Sequence, residues 1–227
     1  MSFPVMIFAA GFGTRMKHLT RDKPKPMVKV AGRPLIDHAI DLAKNAGATK
    51  LVANLHYKAD VLERYLAGTG VMARVERPQI LDTGGGLRNA LDLLGDGPVI
   101  TLNSDAIWKG GNPLADLTHA WEPDKMDALL MTVPLANAIG YQGEGNFVIS
   151  PTGTATRGPG AVYSGAQIIK PDLLHDITDD VFSLNRVWDM MIEKNSLYAL
   201  EYNGFWCDVG HPEGIDLAEN LLRFNDV

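Results

Sequence analysis

Residues 4–29 of the chain read PVMIFAAGFGTRMKHLTRDKPKPMVK, and this stretch decides the fold. Its apolar run from Val5 to Ala10 has almost no polar interruption, which is typical of a strand buried on both faces of a parallel sheet. Helical and strand patterns then alternate over residues 34–102, with a helix predicted over residues 34–46 and strands over residues 51–55 and 71–75. The alternation predicts an α/β fold with a doubly wound, mixed and predominantly parallel sheet, whose ligands bind at the carboxyl ends of the strands.

A glycine-rich turn follows the first strand. It starts at Ala10 and Gly11 and continues through Gly13 and Thr14. Backbone N–H groups in such a turn can point together at an anion, because glycine has no side chain to block the approach. The turn is neither a Walker A loop nor a full dinucleotide fingerprint, since Met16 stands where the third glycine belongs. It is therefore a candidate phosphate site, with a plain tight turn as the alternative.

Three cations lie close to this turn in sequence. Arg15, Lys23 and Lys25 could neutralise a polyphosphate. Pro24 and Pro26 flank the last of them and keep it in an extended segment that cannot become helix. The sequence therefore predicts a stiff loop around Lys25.

Composition limits the classes of function. The chain has 227 residues, a net charge of −6 and one cysteine, Cys207. The acidic balance argues against nucleic acid as a partner, and no apolar run approaches a membrane span. A lone cysteine allows no internal disulfide, which favours a reducing compartment. We expect a single cytoplasmic domain over residues 1–227, while the oligomeric state stays open.

The longer N-terminal string is more specific than its glycines. A-A-G-x-G-T-R-M, L-T, P-K-P-M and G-R-P-L-I together resemble the sugar-phosphate nucleotidyltransferases, which make nucleotide sugars from a sugar 1-phosphate and a nucleoside triphosphate. The resemblance implies the Rossmann-like nucleotide-diphospho-sugar transferase fold. It also implies that the turn wraps the triphosphate and that Arg15 and Lys25 bind its phosphates. His18 departs from the family pattern, which usually has proline there.

A second glycine run lies in residues 76–90, ERPQILDTGGGLRNA. The run is predicted to lead into a helix that continues to about Leu94. Its composition suits either a base-binding loop or a flexible turn. It resembles the family's L-x-T-G/A-G loop, which implies nucleobase contact through the backbone of Gly84 and Gly85, with Gln79 as a weaker candidate.

Two aspartates are candidate magnesium ligands. Asp105 ends the N-S-D that follows a strand over residues 98–102, where a carboxylate could hold Mg²⁺ or cap the next turn. N-S-D resembles a metal-binding element of the family. F-W-C-D-V-G-H-P similarly resembles the family's W-x-D-x-G-T-P, which implies that Asp208 is the second ligand and that His211 replaces the common threonine.

The glycine-rich residues 136–160 predict a small hairpin or lid. Asn146 in this stretch, and Gly165 in the strand over residues 162–169, resemble positions with which relatives reach the sugar. The family's E-K-P motif is absent, and Arg157 is a candidate for the cation that its lysine would supply.

The C-terminal part predicts three further elements. They are a helix over residues 173–195, a hairpin that turns at Asn203-Gly204 between strands 197–202 and 205–209, and a last helix over residues 213–224.

The resemblance implies that UTP or GTP reacts with a sugar 1-phosphate, with Mg²⁺ as cofactor. Arg15 and Lys25 would stabilise the reacting phosphates, and no general base is needed because phosphate is already a nucleophile. The T-G-G-G loop, the missing E-K-P and the Y-S-G element look most like the N-acetylmuramate 1-phosphate uridylyltransferase branch of bacterial cell-wall recycling. Mannose-1-phosphate guanylyltransferases are the alternative, followed by a catalytically silent regulator that binds nucleotide sugars.

Overall fold

The structure is a computed structural model that describes residues 2–223. Its strands are β1 (Val5–Phe8), β2 (Lys29–Val30), β3 (Arg33–Pro34), β4 (Leu51–Leu55), β5 (Val71–Val75), β6 (Val99–Asn103), β7 (Ala106–Lys109), β8 (Ala128–Val133), β9 (Ala138–Ile139), β10 (Phe147–Ile149), β11 (Ala155–Arg157), β12 (Val162–Ile169), β13 (Leu197–Glu201) and β14 (Phe205–Asp208). Its α-helices are α1 (Leu35–Asn45), α2 (Ala59–Leu66), α3 (Asp82–Asn89), α4 (Leu91–Leu94), α5 (Pro113–Ala120), α6 (Leu184–Glu193) and α7 (Glu213–Arg223).

The main sheet has seven strands in the order β13-β8-β12-β6-β1-β4-β5. Only β12 runs antiparallel to its neighbours, so the sheet is mixed and predominantly parallel. Alternate residues of β1 point to opposite faces: Val5 and Ile7 pack with α1, α2 and α5, whereas Met6 packs with α3, α4 and α6. Burial on both faces explains why this strand is apolar throughout, and the predicted doubly wound fold is confirmed.

A smaller sheet of three strands, β7-β14-β9, lies beyond the end of β6 and packs against α7. In it β14 runs antiparallel to β7 and parallel to β9. The predicted hairpin at Asn203-Gly204 is therefore wrong, because β13 pairs with β8 in the main sheet while β14 pairs in the smaller one. A Cβ at Gly204 would lie 2.3 Å from the carbonyl oxygen of Lys109, so this glycine permits close packing instead.

Two predicted helix boundaries also differ. The helix predicted over residues 173–195 forms only as α6, where the Ser183 hydroxyl accepts a hydrogen bond from the backbone N–H of Asn185 at the N-terminus. Residues 175–183 instead pass across the start of α3, which begins before the three glycines rather than after them. The last helix ends at Arg223, and Phe224 lies outside the described residues.

The glycine-rich stretch over residues 136–160 contains the antiparallel hairpin β10–β11. A Cβ at Gly145 would lie 2.1 Å from the carbonyl oxygen of Gly160, so the two ends of the hairpin touch through backbone alone. The function of this hairpin as a lid stays a prediction. Between Ser2 and Arg223, the structure contains no helix that is both long and apolar enough to cross a bilayer.

Candidate active site

A cleft of about 240 Å³, here called the first cleft, opens at the carboxyl ends of β1 and β6. Ala10 and Gly11 of the glycine-rich turn lie on one side, with Lys25 beside them. Asn54 and Asp105 lie across from the turn, at the ends of β4 and β6. The fold therefore brings the turn, Lys25 and Asp105 to the sheet edge where ligands of such folds bind.

Lys25 and Asp105 form a close ion pair in the first cleft. The Lys25 ammonium lies 2.6 Å from Oδ2 of Asp105, and these side chains are 11% and 30% exposed. Gly13 supports this geometry because its φ is 64° and a Cβ there would lie 2.9 Å from Cβ of Lys25. The glycine-rich turn is thus shaped around the lysine as well as around any bound anion.

Asp208 reaches the same region from β14. It pairs with Ala106 across the ladder to β7, and the N–H of Val209 donates to the carbonyl oxygen of Asp105 over 2.9 Å. Burial raises the pKa of the Asp208 carboxyl, and the charge of Asp105 raises it further, while Lys25 and Arg15 act in the opposite direction. The charge of Asp105 therefore acts on the Asp208 carboxyl.

This donor set fits Mg²⁺. The ion prefers one or two carboxylates and takes its other ligands from water and substrate phosphates. Asp105 and Asp208 supply two carboxylates, and the ammonium of Lys25 already places a positive charge against one of them. Within residues 2–223 no group of three or more histidine, cysteine or acidic side chains is placed so that it could hold a metal ion.

A buried hydrogen-bond network connects the glycine-rich turn to α3. The side-chain oxygen of Asn54 accepts from the N–H of Ala9, and its nitrogen donates to Oε1 of Glu76 over 2.7 Å. The other carboxylate oxygen of Glu76 accepts from the N–H of Leu81 over 2.8 Å. Neither Asn54 nor Glu76 was predicted from the sequence, although an asparagine within the otherwise apolar strand LVANL is a detectable signal.

A second cleft, of about 330 Å³, adjoins the first and shares Phe8, Asp82, Thr83 and Asn103 with it. Its other walls come from the β10–β11 hairpin, from β12 and from the start of α6. Aromatic rings and amide side chains dominate this lining, a composition that suits a polar ring with apolar faces, such as a sugar.

The model of the nucleotidyl transferase family matches residues 4–143, well over half of the chain. The chain belongs to this family. The match includes the glycine-rich turn, Lys25 and Asp105, whereas Asp208 lies beyond it.

Individual relatives of known activity match almost the whole chain. An N-acetylmuramate alpha-1-phosphate uridylyltransferase of Caulobacter vibrioides is 37% identical over 96% of each chain. A mannose-1-phosphate guanyltransferase of Saccharomyces cerevisiae is 29% identical over 98% of this chain and 65% of its own length. The crystal structure of HddC from Yersinia pseudotuberculosis, complexed with GMP-PN, superimposes with a TM-score of 0.78 at 23% identity and covers 97% of this chain and all of its own. This structural likeness supports the fold alone.

The structure places the predicted phosphate residues around one turn. Ala10 and Gly11 line the first cleft, and Gly13 leads into a 3₁₀ helix that starts at Thr14. Arg15 is exposed on this helix, close enough to lower the pKa of Asp208 through its charge. Their phosphate contacts remain predictions of the family resemblance.

The base contact through Gly84 and Gly85 stays a prediction, and the structure engages the N–H groups of both glycines within the protein. Both N–H groups donate to the carbonyl oxygen of Phe182, at 2.9 and 3.0 Å. The Cβ of an alanine at Gly84 would lie 2.4 Å from the Phe182 ring, and one at Gly85 would lie 2.2 Å from the carbonyl oxygen of Asp180. These glycines let residues 180–182 pack onto α3.

Gln79, the weaker candidate for base contact, does not line the first cleft. It lines a different cleft together with Gly85 and Arg88, away from the first cleft. The residues of this segment that do line the first cleft are Ile80, Asp82 and Thr83. The chain therefore presents the positions around the L-D-T triplet to the first cleft, rather than the glycines that follow.

The two residues predicted to contact the sugar differ in their location. Asn146 lines the second cleft, and its side-chain oxygen accepts from the N–H of Tyr163 over 2.9 Å. Gly165 is buried, and a Cβ there would lie 2.6 Å from Nδ2 of Asn103. Gly165 thus allows the side chain of Asn103 to pack closely against it, and Asn103 lines both clefts.

Proposed function

We propose that this chain transfers a uridylyl group from UTP to N-acetylmuramate 1-phosphate and releases pyrophosphate. The observation that carries the proposal is the pairing of Lys25 with Asp105 beside the glycine-rich turn, with Asp208 next to Val209, whose N–H donates to the carbonyl oxygen of Asp105. The uridylyltransferase of Caulobacter vibrioides supports this choice of substrates, because its similarity extends over nearly the full length of both chains.

The chain's residues would act by positioning substrates and neutralising charge. An oxygen of the sugar phosphate attacks the α-phosphorus, and pyrophosphate leaves from the opposite side. The ammonium of Lys25 can turn from Asp105 to the α-phosphate region, while the planar guanidinium of Arg15 suits the leaving pyrophosphate.

Asp105 and Asp208 would hold Mg²⁺ in this scheme. The ion, when bound, neutralises the charge that develops between the α-phosphate and the incoming phosphate. The protein's part is to fix the two carboxylates at the junction of β6 and β14, which it does through the backbone hydrogen bond between Val209 and Asp105. A product of this kind would serve cell-wall recycling in the cytoplasm.

The alternative substrates are GTP and mannose 1-phosphate, as in the yeast relative. A regulator without activity is disfavoured because a protein that only binds nucleotide sugars would not need both carboxylates.

Pyrophosphate release is to be measured with UTP and GTP against N-acetylmuramate, mannose and glucose 1-phosphates, with Mg²⁺ and with EDTA. We expect release with UTP and N-acetylmuramate 1-phosphate only when Mg²⁺ is present. Release with GTP and mannose 1-phosphate would favour the alternative, and no release with any pair would favour the regulator.

A further inference from the structure

The second cleft contains a positively charged side chain that has no part in the phosphate chemistry proposed for the first cleft. Arg157, at the end of β11, is the only cationic side chain that lines it within the described part of the chain. The first cleft, with Lys25 and Asp105, does not include this arginine. A sugar phosphate held at the carboxylates would therefore place Arg157 toward the far side of its sugar.

Contacts on several sides hold the guanidinium in place. Its Nε donates to Oδ1 of Asp189 over 2.9 Å, and Nη2 donates to the carbonyl oxygen of Asn185 over 3.1 Å. Its central carbon lies 5.0 Å from the ring centroid of Phe147 and 5.5 Å from that of Trp188. An arginine fixed in this way loses little conformational freedom when it binds a ligand.

One side of the guanidinium remains available. Nη1 makes no hydrogen bond to any other residue between Ser2 and Arg223, and the Arg157 side chain is 37% exposed. Its partner Asp189 is 58% exposed, so water screens that ion pair, and Asp82 is the acidic side chain that lines the cleft with Arg157. A free guanidinium N–H beside aromatic walls suits a planar anion, above all a carboxylate.

We propose that Arg157 is a specificity-determining residue that binds a carboxylate carried by the sugar ring of the substrate. This inference rests on the proposed function and deepens it, since N-acetylmuramate carries a carboxylate on a lactyl ether and N-acetylglucosamine does not. The second cleft then selects acidic sugars: its aromatic walls contact the ring, and Arg157 contacts the acid.

The test compares two substrates that differ in one charge. Values of kcat/KM with UTP are measured for N-acetylmuramate 1-phosphate and for its lactyl methyl ester, in the wild-type protein and in Arg157→Gln. The wild type should prefer the acid by about 10- to 100-fold, the scale of one charge-assisted hydrogen bond, and Arg157→Gln should lose that preference while its rate with the ester stays within about threefold. Arg157→Lys keeps the charge and should retain part of the preference.

Arg186→Gln is the matched control, because Arg186 also lies on the α6 side of the molecule but pairs with Asp179 and does not line the cleft. It should leave the preference unchanged. Equal losses for acid and ester in Arg157→Gln, or no loss at all, would overturn the inference while the proposed function stands. Activity of the wild-type protein only with 1-phosphates of sugars that lack a carboxylate would also overturn the inference, although nucleotidyl transfer itself would stand. No pyrophosphate release with any sugar phosphate would instead contradict both proposals.

Discussion

At the residue scale, Lys25 has the most constrained position of the predicted phosphate-binding cations. It is nearly buried, paired with Asp105, and packed against a glycine that has to adopt positive φ. Such a side chain can exchange one anion for another without leaving the cleft, because its ammonium is a compact charge on a flexible stem.

Lys25→Ala should lower kcat by about 10²- to 10³-fold, the usual effect of removing one group that stabilises transition-state charge. Lys29→Ala removes an exposed lysine outside the first cleft and should have little effect. Steady-state pyrophosphate release checks both variants, with circular dichroism to confirm folding. Normal turnover of Lys25→Ala would exclude the proposed role of this lysine.

The surroundings of Cys207 suppress the reactivity of its thiol. It is fully buried, and burial raises the pKa of its thiol to about 12, with the neighbouring charge of Asp208 acting in the same direction. The native thiol should therefore resist iodoacetamide near neutral pH, because the thiolate is the reactive form. Since the chain has one cysteine, mass spectrometry before and after guanidinium unfolding reads this site alone. Rapid labelling of the folded protein would contradict the expected burial.

At the element scale, the start of α3 shows what a triple glycine does here. Residues 180–182 pack against its first two glycines, Gly84 and Gly85. The third, Gly86, leaves space for the Asn54–Glu76 hydrogen bond. A Cβ at Gly86 would lie 2.7 Å from Oε1 of Glu76 and 2.9 Å from Nδ2 of Asn54. The network in turn holds the backbone of Ala9, which lines the first cleft, and that of Leu81, between the lining residues Ile80 and Asp82.

Gly86→Ala should lower the free energy of unfolding by about 1–3 kcal/mol, because overpacking outweighs the gain in helix propensity. It should also raise the KM for the nucleotide more than it lowers kcat, since Ala9 and Leu81 would shift while Lys25 and Asp105 stay paired. Gly97→Ala is the control, because a Cβ there meets nothing within 4 Å. Urea unfolding and nucleotide-dependent kinetics measure the two effects, and equal stability of both variants would contradict the packing argument.

Sequence patterns predicted those elements whose partners are local or whose burial is uniform. The strands β4, β5 and β12 form with the predicted bounds, and α1 begins and ends within one residue of them, because each carries its own apolar period. The elements that were predicted wrongly depend on pairing with residues far away in sequence. The Asn203-Gly204 signal is local, whereas β13 and β14 pair with strands far away in sequence, in two different sheets. Similarly, Asp180 and Phe182 pack onto glycines nearly a hundred residues earlier, which no periodicity reveals.

At the scale of the whole molecule, several buried acids favour their protonated forms at high pH. Burial raises the pKa of the Cys207 thiol from 9.0 to about 12, and that of the Tyr202 phenol from 10.0 to about 12 with the charge of Asp116 contributing. The folded protein thus keeps protons that the unfolded chain releases. Their stabilising contribution is complete below about pH 8 and declines as the pH rises toward 12.

The urea midpoint should therefore fall between about pH 8 and about pH 11, with no matching loss between about pH 7 and about pH 8. Tyr202→Phe removes the phenol, whose O–H donates to the carbonyl oxygen of Gly111, and should make the alkaline decline shallower. An unchanged slope in this variant would assign the decline to other groups.

Asp105 and Asp208 are nearly half the chain apart in sequence, and they meet only after β14 inserts between β7 and β9. A growing polypeptide on the ribosome thus completes the sheet edge around the glycine-rich turn while it still lacks one acidic member of the pair. If the two carboxylates hold Mg²⁺ as proposed, such a nascent chain lacks nucleotidyl transfer until synthesis has passed the last strand.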